Sequence, residues 1–236
     1  MTTDSQLILE QYSSLEEEFV KFLKYVPLEE KHYDVWSFEL SNILLNIGSI
    51  IDSFFKNSLY SPTFDGINNI DSYRQAEKHN MEMYRDIYKS KYNIEKKRIY
   101  EIRNFSSIVP YKNWANNSSL DWWKSYTDIK HNRFKNKEKA SLKSTLDALG
   151  GLFLALIIHF DTIPTLVDHD LIKSNNMAKP YFKSLLLEGE PIKEFGAMPY
   201  YAKSTLFGYV YELEDYTYTD EQCRMILSPS YPGYGF

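Results

Sequence analysis

The pattern between Asp34 and Leu59 limits the fold more than any other feature of this sequence. Its apolar residues recur at steps of three and four, the spacing that places side chains on one face of an α-helix. The predicted core face consists of Trp36, Leu40, Ile43, Leu44, Ile47, Ile51, Phe54 and Phe55. A polar stripe of the same period lies opposite and consists of Glu39, Asn42, Asn46, Ser49 and Ser53. A helix with one wide apolar face has to bury it, so the pattern predicts a mainly α-helical protein.

Four other segments also have helical character. They cover Ser5–Tyr25, Asn69–Lys91, Leu120–Asn132 and Asn136–Phe160. Pro27 follows the first of these segments and Pro164 follows the last, as expected for residues that end helices. The third segment has a capping-box-like start, in which Ser118 precedes Asp121 by three residues. The second half of the last segment is apolar nearly all round, which predicts a central buried helix.

The remaining segments favour extended or irregular structure. Lys97–Trp114 and Thr205–Leu213 are rich in β-branched and aromatic residues, and Ser228–Phe236 is predicted to be an aromatic coil. Residues 176–236 contain nine of the 20 tyrosines and five of the nine prolines. We therefore expect an up-and-down helical bundle over residues 1–175. A small β-rich or irregular C-terminal extension over residues 176–236 is expected to pack on the bundle.

Composition narrows the class of protein. Hydrophobic residues make up 43% of the chain and charged residues 25%, as in a globular protein. Cys223 is the single cysteine, which excludes an intrachain disulfide. Neither a signal peptide nor an apolar run long enough to span a membrane is evident, so we predict a cytoplasmic protein with no membrane partner.

Charge is distributed unevenly along the chain. The net charge is −5, which disfavours non-specific binding of nucleic acid by the molecule as a whole. Residues 1–39 carry nine acids and three bases, whereas residues 121–143 carry seven bases and three acids, as do residues 85–103. An acidic protein with basic stretches of this kind can still hold a phosphate group, although most such lysines solvate helix faces.

The strongest candidate for chemistry lies on the predicted helix after Ser118. Lys124, Asp128 and His131 are separated by four and three residues, so they project from one face of a helix. His131 can take and give a proton near neutral pH, and Asp128 would favour its charged form. Arg133 follows just beyond the predicted helix end. This set suits cleavage of a phosphodiester, whereas a solvated surface or a structural ion pair is the simpler interpretation.

The same residues resemble a known superfamily. The sequence Trp122-Trp123-Lys124-x-Tyr126-x-x-Ile129-Lys130-His131-x-Arg133 precedes a long apolar helix that reads Leu146-x-Ala148-Leu149-Gly150-Gly151-Leu152-Phe153. This order is similar to that of the HEPN superfamily over residues 30–162. In the superfamily signature an Arg precedes the His by a few residues. His131 matches the His, and the Arg position falls on Lys124, Ser125 or Tyr126, none of which is an arginine.

The resemblance implies a function and a set of roles. It implies a helical bundle that forms a homodimer and acts as a metal-independent ribonuclease or as an RNA- or nucleotide-binding protein. Such proteins belong to bacterial defence or toxin systems, including toxin–antitoxin pairs and phage defence. His131 would be the general acid and base, assisted by Lys124, Asp128, Arg133 and Tyr126. The predicted RNA- and phosphate-binding residues are Lys130, Trp123, Glu39, Asn42 and Asn46.

The sequence supports expectations for three other features. Trp122 and Trp123 point about 100° apart on a helix, so one is expected to be buried and the other, Trp123, to be the stacking candidate. His159, among apolar residues, is expected to be a hydrogen-bonded core histidine. Because no phosphate-binding loop or metal-binding motif is present, no cofactor or metal is expected.

The alternative function is a catalytically inactive homodimeric scaffold that recognises a protein partner through residues 176–236.

Overall fold

A computed structural model describes residues 2–174, 200–212 and 217–228. The described chain is mainly α-helical, as predicted, whereas the up-and-down order of the helices stays a prediction. The α-helices are α1 (Thr2–Phe22), α2 (Phe38–Ser58), α3 (Ile70–Gln75), α4 (Met81–Tyr92), α5 (Asp121–His131), α6 (Leu142–Ile158), α7 (Ile163–Asp168) and α8 (Asp220–Leu227). Short 3-10 turns cover Glu30–His32, Pro62–Phe64, Ile94–Lys96, Lys112–Asn116, Lys137–Lys139 and Phe160–Thr162.

The described residues form two compact units. The helical unit comprises Leu7–Lys97 and Val109–Phe153. The sheet unit comprises the described residues of Met1–Gln6, Arg98–Ile108 and Leu154–Phe236. The domain boundary predicted at residue 175 stays a prediction.

Aromatic rings fill the core of the helical unit. The ring of Phe55 on α2 lies 4.6 Å from that of Tyr88, 5.4 Å from that of Tyr84 and 6.2 Å from those of Tyr111 and Trp114. The hydroxyls of two buried tyrosines are satisfied. Tyr88 donates to Ser58 Oγ at 3.0 Å, and Tyr111 donates to the carbonyl of Gly151 at 2.9 Å. Hydrogen-bonded tyrosines therefore supply much of the apolar volume of this core.

The close approach of α5 to α2 depends on a glycine. A Cβ added to Gly48 on α2 would lie 2.3 Å from Cδ2 of the Tyr126 ring. Tyr126 itself is buried, with 4% of its surface exposed. Any side chain at position 48 would therefore displace the ring, and with it the helix that carries His131.

The sheet unit contains five antiparallel strands in the described residues. The strands are β1 (Ile99–Glu101), β2 (Ser106–Ile108), β3 (Ile172–Ser174), β4 (Tyr200–Lys203) and β5 (Phe207–Val210). Their order is β2-β1-β5-β4-β3. α8 packs on this sheet, where a Cβ at Gly208 would lie 2.7 Å from Leu227. Tyr100 donates a 2.8 Å hydrogen bond to Asp220 at the start of α8.

Two of the predicted helices are wrong in their extent. The segment Asn69–Lys91 divides into α3 and α4, because the Asn80 side chain accepts from the amides of Glu82 and Met83 and so begins a new helix. The predicted helix Asn136–Phe160 begins only at Leu142. The amide of Leu142 donates to the carbonyl of Val35 at 2.8 Å instead of continuing a helix from residue 136.

Other local predictions also need correction. No side chain caps α5, which begins directly after the extended residue Leu120, so the predicted capping box does not form. The predicted strand Thr205–Leu213 is shorter in the structure, where it corresponds to β5. Its antiparallel pairing with β4 was not predicted from the sequence. α8 was not predicted, although its Thr219 and Gln222 form a complete capping box. The predicted coil Ser228–Phe236 lies almost wholly outside the described residues.

No single helix among the described residues is long and apolar enough to cross a membrane. The bent pair formed by Leu142–Ile158 and Phe160–Asp168 satisfies the criterion only by its combined length and composition.

The Gly48–Tyr126 contact predicts the effect of a small substitution. Gly48→Ala should lower the free energy of unfolding by about 1–2 kcal/mol. A contact of 2.3 Å places the overpacking cost in the upper part of the usual range of about 1–3 kcal/mol, and alanine offsets about 1 kcal/mol of it through helix propensity. Ser49→Ala is the matched control, since Ser49 lies on the same helix with its side chain exposed. The measurement is urea denaturation. A Gly48→Ala protein as stable as Ser49→Ala would contradict the packing described here.

Candidate functional site

α5 carries three of the predicted catalytic residues on one face, as their spacing predicts. Lys124 and His131 are exposed and Asp128 is half-buried. The pKa of the Asp128 carboxyl is lowered chiefly by a hydrogen bond from Lys139, with smaller effects of the charges of Lys139, Lys124 and His131. The three side chains are therefore close enough to affect one another electrostatically.

The loop after α5 folds back onto the end of the helix, and two of its residues bind Asp128 of the candidate site. Lys139 forms an ion pair with the Asp128 carboxylate. The side-chain amide of Asn136 donates to the backbone carbonyl of Asp128 at 2.7 Å. Asp128 thus anchors this loop, and it forms no hydrogen bond with His131 in the described residues. Its predicted role in orienting the imidazole stays a prediction.

The imidazole of His131 is solvent-exposed at the last residue of α5. In the part of the chain that the structure describes, no side chain forms a hydrogen bond or an ion pair with it. An exposed ring can exchange protons with solvent and contact a bound molecule from outside. The geometry therefore leaves His131 available for acid–base chemistry without fixing its tautomer.

Arg133 serves as a clamp between this loop and the start of α2. Its Nη2 donates to the carbonyl of Phe38 at 3.0 Å and also to Oδ1 of Asn42. Its guanidinium carbon lies 5.7 Å from the centre of the Phe38 ring. Nε of Arg133 is buried and has no hydrogen-bond partner among the described residues. Part of the Arg133 guanidinium therefore holds the loop to the start of α2.

The two tryptophans of α5 divide as predicted, into a buried ring and a half-buried one. Trp122 is buried and its Nε1 donates to the carbonyl of Pro110 at 2.9 Å. Trp123 is half-buried, with its ring centre 4.8 Å from that of Tyr126. Lys130 extends over the Tyr126 ring at 5.4 Å. Tyr126 acts mainly in packing against Gly48, whereas Trp123 keeps part of its ring open to solvent.

The polar stripe of α2 is only partly brought to this site. Asn42 reaches it through Arg133, and Asn46 is exposed without a side-chain hydrogen bond to any described residue. Glu39 instead lines a groove of about 430 Å³ between the end of α1 and the start of α2. The lining of this α1–α2 groove consists of Glu18, Lys21, Phe22, Tyr25, Glu39, Asn42 and Ile43.

A surface that was not predicted adjoins His131. The first residues of α6 lie beside the segment that precedes α2, where the amide of Lys143 donates to the carbonyl of Tyr33 at 3.1 Å. Three cations of this region lie over three aromatic rings. The pairs are Lys137 over Trp36 at 4.9 Å, Arg133 over Phe38 at 5.7 Å and Lys143 over Tyr33 at 5.8 Å. We call these six residues, together with Phe134, the aromatic–cation surface.

Two aromatic rings of this surface are unusually exposed. Phe134 has 82% of its surface exposed and Phe38 has 51%. Among the described residues, no carboxylate lies within ion-pairing distance of Lys137 or Arg133, or of Lys130 and Lys135 beside them. The basic segment 121–143 thus presents positive charge next to flat apolar rings. The helical pattern placed Trp36 in the core face of the predicted second helix and did not single out Phe38 or Phe134. The structure places Trp36 half-buried before the start of α2, and the available signal was the aromatic spacing Tyr33-x-x-Trp36-x-Phe38.

Other titratable residues lie elsewhere. His159 in the sheet unit is buried, and its Nδ1 accepts from the amide of Asp161 at 3.3 Å, which confirms the predicted core histidine. Burial lowers the pKa of His159 to about 4. Within the described ranges, no group of three or more His, Cys, Asp or Glu side chains is placed to hold a metal ion.

Comparisons with protein families, with characterised proteins and with solved structures find no match for this chain. The resemblance to the HEPN superfamily therefore rests on the residues quoted above, and the function has to be argued from the site itself.

Proposed function

We propose that this chain binds single-stranded RNA on the aromatic–cation surface and cleaves it with His131. The observation that carries the proposal is that cations without carboxylate partners in the described chain lie beside exposed aromatic rings. Arg133 lies 5.7 Å from the ring centre of Phe38, and the exposed Phe134 follows Arg133 directly in the chain. Single-stranded nucleic acid is held by the same combination, in which cations bind the phosphates and bases stack on aromatic side chains.

Charge supports the RNA ligand over an apolar partner. Lys130 lies in the last turn of α5, and Lys135 and Lys137 follow the helix at short intervals. All three lack carboxylate partners in the described chain. A polyanion would gain from all three, since each phosphate contact releases counterions. Trp123 adds a further half-open ring on α5 itself. The strand would then run beside the His131 imidazole.

The proposed reaction needs the RNA 2′-hydroxyl. His131 accepts the 2′-hydroxyl proton, and the oxygen attacks the adjacent phosphorus. The bond from phosphorus to the 5′-oxygen breaks, and the imidazolium returns its proton to that oxygen. The products are a 2′,3′-cyclic phosphate and a 5′-hydroxyl end. Lys124 and Lys130 stabilise the negative charge that develops on the phosphoryl oxygens.

The resemblance to the HEPN superfamily agrees with this assignment. It also leads us to propose an up-and-down arrangement of the helices, a homodimer and a role in a bacterial defence or toxin system. Lys124 occupies a permitted arginine position in this proposal. Lysine supplies charge without the planar fork of arginine, so weak catalysis is expected relative to a complete motif.

RNA binding should depend on the flatness of one side chain. Phe134→Leu should weaken binding of a single-stranded RNA by about 1 kcal/mol or more, because loss of one base-stacking ring costs about 1–3 kcal/mol. Phe134→Trp should retain the affinity. The measurement is fluorescence anisotropy at several salt concentrations. Lys137→Gln should reduce the slope of log affinity against log salt by about 0.7, whereas Phe134→Leu should leave it unchanged.

Lys56→Gln is the matched control for charge. Lys56 is exposed near the far end of α2, about 27 Å along the helix from Phe38. The affinity of the Lys56→Gln protein for RNA should equal that of the wild type. Equal binding by Phe134→Leu, Lys137→Gln and wild type would remove the aromatic–cation surface as the RNA site.

Cleavage should depend on His131 alone among the exposed histidines. With a chelator present, His131→Ala should cleave RNA at least about 100-fold more slowly, since general acid–base catalysis contributes about 10²–10⁴-fold. Its RNA affinity should remain near that of the wild type. His169→Ala is the control, because His169 is also exposed but lies in the sheet unit. Unchanged cleavage by His131→Ala, or cleavage of RNA lacking 2′-hydroxyls, would exclude this mechanism.

A catalytically inactive homodimeric scaffold is the second candidate. It is favoured by the commitment of Asp128 and Arg133 to contacts within the chain. It also retains the predicted protein contact through residues 176–236, where Met225 on α8 is exposed. In this case the exposed Phe134 ring would belong to an interface between copies.

The scaffold hypothesis predicts a particular change in mass. Wild-type protein should sediment at twice the 27.9 kDa of one chain and should not bind RNA. Phe134→Asp should sediment as a monomer, because a charge would then be buried in the interface. Analytical ultracentrifugation makes the measurement, with Ser49→Ala as a dimeric control. A monomeric wild type would contradict the scaffold.

A further inference from the structure

The α1–α2 groove has an apolar floor and an acidic rim. Phe22 is half-buried and Ile43 is almost completely buried, so together they form a floor of hydrocarbon. Glu18 and Glu39 line the same groove from two different helices, and both residues are exposed. The cavity, about 430 Å³, falls in the size range of small-molecule sites.

The charged side chains that line the groove are mostly negative. Among the described residues, neither Glu18 nor Glu39 has an ion pair. Lys21 also lines the groove; its ammonium is paired with Glu17 at 2.9 Å, and the charge of Glu18 also acts on it. The lining therefore carries two negative charges and one positive charge that is shared with Glu17, an excess of negative charge that favours a cationic ligand with a hydrocarbon body.

Tyr25 adds a third element of recognition. It lines the groove with 86% of its surface exposed, so its ring is open to a ligand. The face of an aromatic ring attracts ammonium groups. The helix dipoles do not decide the preference, because the groove meets the negative end of α1 and the positive end of α2. The carboxylates and the ring therefore set the sign of the ligand.

We propose that the α1–α2 groove binds a linear aliphatic polyamine. Its ammonium groups would pair with Glu18 and Glu39, its methylene chain would lie on Phe22 and Ile43, and Tyr25 would cover one ammonium. A polyamine matches two separated carboxylates joined by an apolar floor, whereas a single amine satisfies only one of them. Asn42 lines the groove and also accepts from Arg133, but the proposal does not depend on RNA binding.

The test uses spermidine and the full-length protein without RNA. Spermidine should shift the backbone amide NMR signals of residues around the groove, and butylamine should bind at least about fivefold more weakly because it forms one ion pair fewer. Glu39→Gln and Glu18→Gln should each weaken spermidine binding about two- to fivefold, with the double variant weaker still. Tyr25→Ala should also weaken it.

Glu30→Gln is the matched control, since Glu30 is exposed and changes the same charge outside the groove. It should bind spermidine like the wild type. Three results would overturn the proposal. They are equal binding of spermidine and butylamine, equal losses in Glu39→Gln and Glu30→Gln, and no NMR shift at about 10 mM spermidine, a concentration that would largely saturate a site of millimolar affinity. A lysine-containing peptide that binds more tightly than spermidine at the same residues would also overturn it and assign the groove to a protein partner.

Discussion

The packing of Tyr126 against Gly48 is the contact on which the geometry of the candidate site depends. Because position 48 lacks a side chain, α5 approaches α2 closely enough to bury the tyrosine ring. That approach brings the end of α5, and so the following loop, beside the start of α2. Arg133 can then donate to the carbonyl of Phe38. The positions of His131 and of the aromatic–cation surface beside α2 therefore rely on the small size of Gly48.

Tyrosine explains how so aromatic a chain forms a helical core. In the helical unit, buried tyrosines surround Phe55, and their hydroxyls reach acceptors such as Ser58 and Gly151. Tyr88 and Tyr111 bury apolar area while their hydroxyls remain hydrogen-bonded, so the cost of desolvating those hydroxyls is offset. Tyr211 does the same in the sheet unit, where its hydroxyl donates to the carbonyl of Ile157 at 2.6 Å.

Periodicity in the sequence predicted the helices that bury a continuous apolar face, including α2 and α5. It failed where a side chain or a distant backbone group decided the boundary. Asn80 begins α4 within a segment that looked continuous, and the carbonyl of Val35 holds the amide of Leu142. At the site, spacing predicted which residues share a face of α5. It could not predict that Lys139 forms an ion pair with Asp128, because that ion pair depends on the path of a loop.

Separation of charge within the helical unit gives a physical reason for two different sites. Phe38 and Glu39 are consecutive on α2, so their side chains point about 100° apart around the helix. Phe38 lies under Arg133 in the aromatic–cation surface, whereas Glu39 lines the acidic groove. Asn42, one turn later, lines the groove while its side-chain oxygen accepts from Arg133. A ligand that moves Asn42 in the groove must therefore change the hydrogen bonding of Arg133, two residues from His131. The first turns of α2 consequently join a surface suited to anions with a groove suited to cations.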